Sequence, residues 1–238
     1  MSTTLTKNAK KEQRRLANPY SLSAALQNGG TMVWLSCLIM GLANILNGQL
    51  IMGLLFLVIE VAFIVFLALP KGGIYWISML PSLGWREQSE VWNEAKGIYE
   101  YVAGDQSQLI LLYGIASICL IALFVILWQS SVRSGFKAMS LKKAGKHVPN
   151  FVETLKSLLD ENIHKLLMTP PTACLAIFSI LPLFYMMSMA FTNYSKDGDR
   201  LVLFDWVGLK NFFAIFDSTS VIGKQFGDVL VWTLVWAF

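Results

Sequence analysis

The feature that most constrains this chain is a set of long apolar runs with almost no charged side chains. Residues 50–69, 109–128 and 166–191 are each long enough to cross a bilayer as a helix, which takes about 20 residues. A further run starts at residue 229 and reaches Phe238. Only 14% of the residues are charged, whereas soluble domains carry about a quarter. We therefore expect an all-α, polytopic membrane protein, a helical bundle with three complete spans and the start of a fourth.

The first apolar stretch, residues 31–69, is longer than one span and contains a single ionisable residue, Glu60. A turn-prone triplet, Asn-Gly-Gln at residues 47–49, divides it. The second part is a complete first span. We expect the first part, which contains Gly41 and Asn44, to be an interfacial or tilted helix, with a second crossing as the alternative.

Charge predicts the orientation of these segments. Basic residues are concentrated in residues 1–30 and 129–166, while neither 70–106 nor 192–227 has an excess of them. Cytoplasmic segments are enriched in Lys and Arg, so the N-terminus is expected inside. The predicted order is a basic cytoplasmic tail (1–30), an interfacial helix plus first span (31–69), an aromatic-rich extracellular loop (70–106), a second span (107–128), a basic cytoplasmic loop (129–166), a third span (167–191), an extracellular loop (192–227) and the start of another span (228–238).

Two residues inside apolar runs are candidate functional residues. An ionisable side chain at the middle of a span is costly and often functional, which singles out Glu60. We expect its carboxyl group to bond a neighbouring helix, and a proton or cation site is the alternative. Pro182 lacks a backbone donor and is expected to kink its helix, at a transport pathway or as a packing feature. The partners considered for Glu60 are Tyr113, Ser117, Ser179 and Ser188.

Two other segments predict contacts with the membrane surface. Residues 150–167 have apolar side chains at helical spacing, and Asn150 and Glu153 have the spacing of a capping box. We expect an amphipathic helix on the cytoplasmic face, with docking of a cytoplasmic partner as the alternative. The aromatic residues of 70–106 are typical of an interfacial belt; stacking on sugars is the alternative.

Signatures of catalysis are missing from the sequence. It contains no P-loop, HExxH or GxSxG motif. Its cysteines, Cys37, Cys119 and Cys174, lie apart in apolar runs without the spacing of metal ligands. The net charge of +4 is clustered in a few segments, which does not indicate a nucleic-acid partner. We predict a protein of transport or scaffolding, not an enzyme, with no cofactor and no metal site.

Three short motifs occur in a fixed order in the last third of the chain. They are AFTNYS at residues 190–195, WVGLKNF at 206–212 and VWTLV at 231–235. This order resembles the larger membrane subunit of maltose/maltodextrin-type carbohydrate ABC importers. The basic loop and the earlier spans look like the N-terminal extension of Gram-positive maltodextrin permeases. The resemblance implies the N-terminal portion of a longer permease, whose transport core starts at residues 228–238.

The resemblance also implies an activity, partners and a location. A permease of this family imports sugar by alternating access in the plasma membrane of a bacterium. It assembles with a second permease subunit, ATPase subunits that hydrolyse ATP, and an extracellular solute-binding protein. The substrate-binding residues and the ATPase-coupling loop are expected beyond Phe238. The alternatives are a structural or assembly membrane protein, and a secondary transporter that uses Glu60.

Overall fold

The structure, a computed structural model, describes residues 19–87, 89–102, 104–160, 163–194, 203–217 and 221–237. Most of the predicted basic tail and part of the 192–227 loop lie outside these residues. The described chain is mainly helical. Its elements are α1 Leu22–Asn28, α2 Gly30–Leu38, α3 Leu42–Leu46, α4 Leu50–Ala68, α5 Gly73–Met79, β1 Ser89–Asn93, β2 Ile98–Val102, α6 Ser107–Lys143, α7 Phe151–Leu159, α8 Ile163–Leu175, a π-helical turn Ala176–Ile180, α9 Leu181–Met189, α10 Lys210–Phe216 and α11 Val221–Ala237.

Within the described residues, three helical stretches are long and apolar enough to cross a membrane: Leu50–Ala68, Ser107–Lys143 and Leu166–Met189. They coincide with the three complete spans that the sequence predicts. The last of them joins most of α8, the π-helical turn and α9. The helical membrane protein expected from the apolar runs is therefore what the structure shows, while the number of crossings stays a prediction.

Helix α6 continues beyond the span predicted at residues 107–128. It ends at Lys143, inside the segment expected to be a cytoplasmic loop. Val132, Phe136 and Met139 recur at helical spacing and are buried, so this part is an amphipathic helix that packs through one face. The charged residues that follow the apolar run in the sequence lie on the exposed side of α6.

The first part of the 31–69 stretch forms two short helices. Helices α2 and α3 have 9 and 5 residues, so they rise about 14 Å and about 8 Å at 1.5 Å per residue. Both are shorter than the hydrocarbon core of about 30 Å. Each of the two helices alone is therefore too short to span it, and the number of crossings within residues 31–69 stays a prediction.

The contacts divide the chain into two compact units. The first unit comprises Met1–Leu69 and Leu120–Ala173, and the second comprises Pro70–Cys119 and Cys174–Phe238. The core of the first unit contains Ala25, Val33, Val132, Phe136 and Met139. Further along α6, its Phe124 ring stacks on Phe63 of α4 with centroids 3.9 Å apart.

The second unit has its own core, formed by Leu83, Ile110, Leu111, Ile115 and Phe204. These residues come from the segment after α5, from the first turns of α6 and from the segment before α10. Apolar side chains of α5 and α9 pack around them. The core therefore gathers parts of the chain that are far apart in sequence.

An antiparallel hairpin, β1 and β2, occupies part of the segment predicted as an extracellular loop. Trp92 lies opposite Tyr99 and Glu90 lies opposite Tyr101, so these four side chains share one face of the hairpin. The Trp92 and Tyr99 rings meet edge to face at 5.0 Å. Gly97 completes the turn with a φ of 61°, which glycine adopts without strain. The hairpin is a departure from the all-α architecture expected from the sequence.

The predicted amphipathic helix at 150–167 is shorter in the structure. Helix α7 ends at Leu159, and α8 begins at Ile163. At the start of α7, the backbone N–H of Asn150 donates to Glu153 Oε2 at 2.9 Å, which is one arm of the expected capping box. His147 Nε2 lies 2.8 Å from the same oxygen. The His147 side chain, together with the Asn150 N–H, holds the pKa of Glu153 below its usual range.

Candidate functional site

The candidate site surrounds a break between α2 and α3, which we call the helix break and define as residues 39–41. Ile39 is extended, with φ −121° and ψ 106°. Gly41 has a φ of 81°, a left-handed conformation that is costly for residues with a Cβ atom. These two residues end α2 and redirect the chain into α3. The break also removes backbone hydrogen bonds that a continuous helix would form.

Side chains satisfy the backbone amides freed by the helix break. The N–H of Met40 donates to Glu60 Oε2 at 2.9 Å, and the N–H of Gly41 donates to Ser131 Oγ at 3.0 Å. The N–H of Ala43 donates to Ser36 Oγ at 3.4 Å. Met40, Ser36 and Ser131 are fully buried, so water cannot replace these acceptors. In lipid, each such group left unsatisfied costs several kcal/mol.

Glu60 is thus a hydrogen-bond acceptor for a broken helix. It is half-buried in α4. Its partner, the backbone N–H of Met40, is none of the side chains that were expected from the sequence. Two of those partners, Ser117 and Ser188, instead donate to carbonyl oxygens of their own helices. The sequence predicts the importance of Glu60 but not the identity of its partner. Its use as a proton or cation site stays a hypothesis.

Glycines allow the elements around the helix break to approach closely. A Cβ atom on Gly53 of α4 would lie 2.7 Å from the carbonyl oxygen of Gly41. A Cβ atom on Gly135 of α6 would lie 2.7 Å from the Cβ of Ala43 and 3.1 Å from Asn44 Oδ1. The two distances of 2.7 Å are far below normal contact, and that of 3.1 Å is tight. The backbones of α3, α4 and α6 therefore meet where these positions lack side chains.

A polar network ties the α3–α4 turn to α6. Asn44 is fully buried, and its Nδ2 donates to Gln49 Oε1 and to Ser134 Oγ, both at 2.8 Å. Gln49 Nε2 donates in turn to the carbonyl oxygen of Pro149 at 2.8 Å. Asn44 Oδ1 is a buried acceptor without a partner among the described residues. The network fixes the turn predicted at residues 47–49 against two distant parts of the chain.

Pro182, the second candidate residue, lies at the start of α9 and is exposed. The π-helical turn Ala176–Ile180 directly precedes α9. A proline cannot donate its backbone nitrogen to the preceding turn, and π-helical turns are a usual way to accommodate a disturbed hydrogen-bond ladder. The helical ladder is irregular just before Pro182, and the kink expected at this residue stays a prediction. A role of Pro182 in a transport pathway stays a hypothesis.

The first two sequence motifs fold against each other in the second unit. Asn211 Nδ2 donates to the carbonyl oxygens of Ala190 and Thr192, at 2.9 and 2.7 Å. The N–H groups of Val207 and Gly208 both donate to the carbonyl oxygen of Phe191, at 2.8 and 3.1 Å. These bonds satisfy the carbonyl groups of the three residues that directly follow α9. The first two of the three motifs that carry the family resemblance therefore form one structural lock.

Additional contacts extend this lock. The N–H of Asp205 donates to Asn193 Oδ1 at 2.6 Å. Trp206 Nε1 donates to the carbonyl oxygen of Leu80 at 2.8 Å. The latter bond attaches the segment before α10 to the end of α5. We refer to this set of contacts, made by residues 190–194 and 203–212, as the motif lock.

The chemistry available at these sites is hydrogen bonding and packing. Among the described residues, no three or more His, Cys, Asp and Glu side chains are grouped so that they could hold a metal ion. The aromatic face of the hairpin carries exposed rings of Trp92, Tyr99 and Tyr101. Whether these rings lie in an interfacial belt or stack on sugars stays a prediction.

Several functional side chains had only a weak signal in the sequence. Ser36 and Ser131 are serines within or beside apolar runs, and Ser134 is another of this kind. A serine in a membrane helix usually bonds to its own backbone, so their roles at the helix break and at Asn44 could not be distinguished from that default. Gly41 and Asn44 were noticeable because they interrupt an apolar run.

Comparison with curated proteins gives relatives of one kind. The maltodextrin transport system permease protein MalC of Streptococcus pneumoniae is 28% identical over 207 residues, which cover 84% of this chain and 42% of that protein. The maltodextrin transport system permease protein MdxF of Bacillus subtilis is 29% identical over 203 residues, with the same coverage. The galactooligosaccharides transport system permease protein GanP of Bacillus subtilis is 26% identical over 137 residues, which cover 57% of this chain and 32% of that protein.

No family model matches the chain, and no solved structure matches it significantly. The chain spans less than half the length of the curated relatives it matches. The alignments of this chain with MalC and MdxF nevertheless extend over most of the chain, well beyond the last third that carries the three motifs. The resemblance of this chain to maltodextrin-type sugar transport permeases is therefore confirmed.

Proposed function

We propose that this chain belongs to the membrane permease subunit of an ATP-driven carbohydrate importer of the maltodextrin type. The observation that carries the proposal is the similarity over 84% of the chain to maltodextrin transport permeases of two bacteria. Three helical stretches able to cross a membrane support it. The protein would lie in the plasma membrane of a bacterium with its N-terminus in the cytoplasm.

The partners follow from this assignment. The permease would assemble with a second permease subunit, with ATPase subunits that hydrolyse ATP, and with an extracellular solute-binding protein. Sugar would cross by alternating access. No group for ATP hydrolysis is assigned to this chain, because that reaction belongs to the partner ATPase.

Within such a permease, the described segment would be a scaffold. The helix break and the motif lock are built from hydrogen-bonded and closely packed groups, which suit a rigid support for neighbouring spans. Glu60 then acts as a positioning residue, since it accepts a hydrogen bond from the Met40 backbone. This positioning role explains why α4 contains a carboxyl group, and it does not require that the group carry a transported proton.

Uptake measurements test the proposal. Cells that carry the complete gene product, with an affinity tag, should take up labelled maltodextrin, and an ATPase subunit should co-purify with the tagged protein. Uptake should stop when that ATPase is inactivated and should persist with Glu60→Gln. Uptake that survives loss of the ATPase but collapses with an uncoupler would instead establish a secondary transporter. A protein that supports no uptake and assembles with no ATPase would have the structural role.

A further inference from the structure

Basic side chains are concentrated at the end of α6, where one of them, Lys137, lines a small cleft in the first unit. Arg133, Lys137, Lys142, Lys143 and Lys146 are exposed on the last turns of α6 and just after it, and we call these five residues the basic corner. The ion pairs within the described residues, Lys96 with Glu100 and His147 with Glu153, involve none of the five. Their positive charge is therefore not neutralised by carboxylates of the described chain.

The cleft lies beside Lys137. Its volume is about 80 Å³, and its lining includes Gln49, Ser134, Lys137, Pro149 and Thr154. A cavity needs about 10–15 Å³ of such space to hold one water molecule, so the cleft admits a small group of a few heavy atoms. Lys137 is the single charged residue in the lining. A small anionic group matches both the size of the cleft and the charge at its wall.

An apolar surface follows directly along the chain. Val152, Leu155 and Leu159 of α7 are 57%, 44% and 49% exposed. Ile163 and Leu167 of α8 are also exposed, and the stretch Leu166–Met189 is long and apolar enough to cross a membrane. Along the chain, the exposed apolar residues of α7 are therefore followed by a stretch able to cross a membrane.

We propose that the basic corner and α7 form a binding site for an anionic phospholipid of the inner leaflet. The lipid phosphate would occupy the cleft beside Lys137, and its acyl chains would lie along Val152, Leu155 and Leu159. Charge complementarity supports this occupant, because basic pockets at the cytoplasmic ends of spans attract anionic head groups. Inorganic phosphate would use the cleft but not the apolar residues of α7. The proposal rests on the orientation given under the proposed function, not on sugar transport itself.

The test compares lipids around the purified full-length protein. In nanodiscs, phosphatidylglycerol mixed into phosphatidylcholine should raise Tm by several degrees over phosphatidylcholine alone, because a ligand that binds only the folded state stabilises it. Native mass spectrometry should show retained phosphatidylglycerol. Lys137→Gln should weaken that retention about fivefold, since one lysine near a membrane surface contributes about 1 kcal/mol. Leu155→Asn should weaken it as well, through the acyl chains.

Matched variants make the result specific. Lys71→Gln removes a lysine outside the basic corner and should leave retention unchanged, and Lys137→Arg keeps the charge and should preserve it. The proposal fails if phosphatidylglycerol acts no differently from phosphatidylcholine, or if Lys71→Gln and Lys137→Gln lose retention equally. Inorganic phosphate that reproduces the full rise in Tm would also overturn it, in favour of a free-anion site. Loss of sugar uptake alone would concern only the proposed function.

Discussion

The side-chain amide of Asn211 lies 2.7 Å from the carbonyl oxygen of Thr192. The two residues belong to different motifs, which residues 196–205 separate; residues 195–202 lie outside the described part of the chain. Asn211 Nδ2 also reaches the carbonyl oxygen of Ala190. One side chain thereby satisfies two backbone acceptors just after a helical stretch that is long and apolar enough to cross a membrane. The contact therefore joins the first two motifs in the folded protein.

Asn211→Ala should destabilise the protein through the motif lock. It removes two hydrogen bonds, each contributing about 0.5–1.5 kcal/mol, so the free energy of unfolding should fall by about 1–3 kcal/mol. Chemical unfolding in detergent micelles would measure this change. Asn28→Ala, at the exposed end of α1, is the control and should change stability by less than about 0.5 kcal/mol. Equal stability of Asn211→Ala and the parent protein would contradict the role of the lock.

Glu60 should tolerate loss of charge better than loss of its acceptor oxygen. Glu60→Gln keeps an oxygen that can accept the Met40 N–H, and it should unfold close to the parent protein. Glu60→Leu leaves a buried N–H without a partner and should lower the free energy of unfolding by about 1–3 kcal/mol. Thermal unfolding in nanodiscs compares the two variants. If Glu60→Gln is as damaging as Glu60→Leu, the negative charge matters and the positioning role is wrong.

Gly53→Ala should be strongly unfavourable, although alanine is a better helix former than glycine. The new Cβ would lie 2.7 Å from the carbonyl oxygen of Gly41, and overpacking of this kind typically costs about 1–3 kcal/mol. Gly227 of α11 is a matched control, because a Cβ there meets no atom within 4 Å. Gly227→Ala should be neutral or stabilising by up to about 1 kcal/mol. Similar Tm values for the two variants would show that α3 and α4 can separate without cost.

Acidification should loosen the start of α7. The pKa of Glu153 is held low in the folded protein by His147 and by the Asn150 N–H. A carboxyl group with a depressed pKa contributes stability above its usual pKa, and this contribution is lost as the pH falls through the folded value. A carbon-13 NMR titration of Glu153 should therefore give a midpoint below the usual range for glutamate. His147→Ala should raise the midpoint, and an unchanged midpoint would exclude His147 as the cause.

The sequence predicts the spans because hydrophobicity alone decides them. Leu50–Ala68 is apolar at nearly every position, so no tertiary information is needed to identify it. The same measure missed the end of α6, since Arg133 and Lys137 interrupt the apolar run while Val132 and Phe136 keep a buried helical face. Hydropathy finds helices that lipid surrounds, and it underestimates helices that are half-covered by protein.

The candidate site was only partly predictable for a different reason. A carboxyl group in an apolar run is conspicuous, and Glu60 was identified from that alone. Its partner is a backbone N–H of Met40, which becomes available only because the chain leaves the helix at residues 39–41. The sequence alone does not indicate which backbone N–H becomes available as a donor. The hairpin was also missed, because residues 70–106 combine aromatic and charged residues that fit an interfacial loop equally well.

The length of α6 has a consequence for mapping the protein in cells. Its 37 residues form a rod of about 55 Å at 1.5 Å per residue, whereas the hydrocarbon core is about 30 Å thick. A cysteine scan with water-soluble thiol reagents along this helix would therefore pass from protected to reactive positions without any change in backbone structure. The reactivity of single cysteines along α6 would locate the water boundary part-way along a continuous helix, and hydrogen exchange would locate its end about Lys143. The two positions would differ by several helical turns, because thiol reactivity reports exposure to water whereas hydrogen exchange reports the end of the hydrogen-bonded helix.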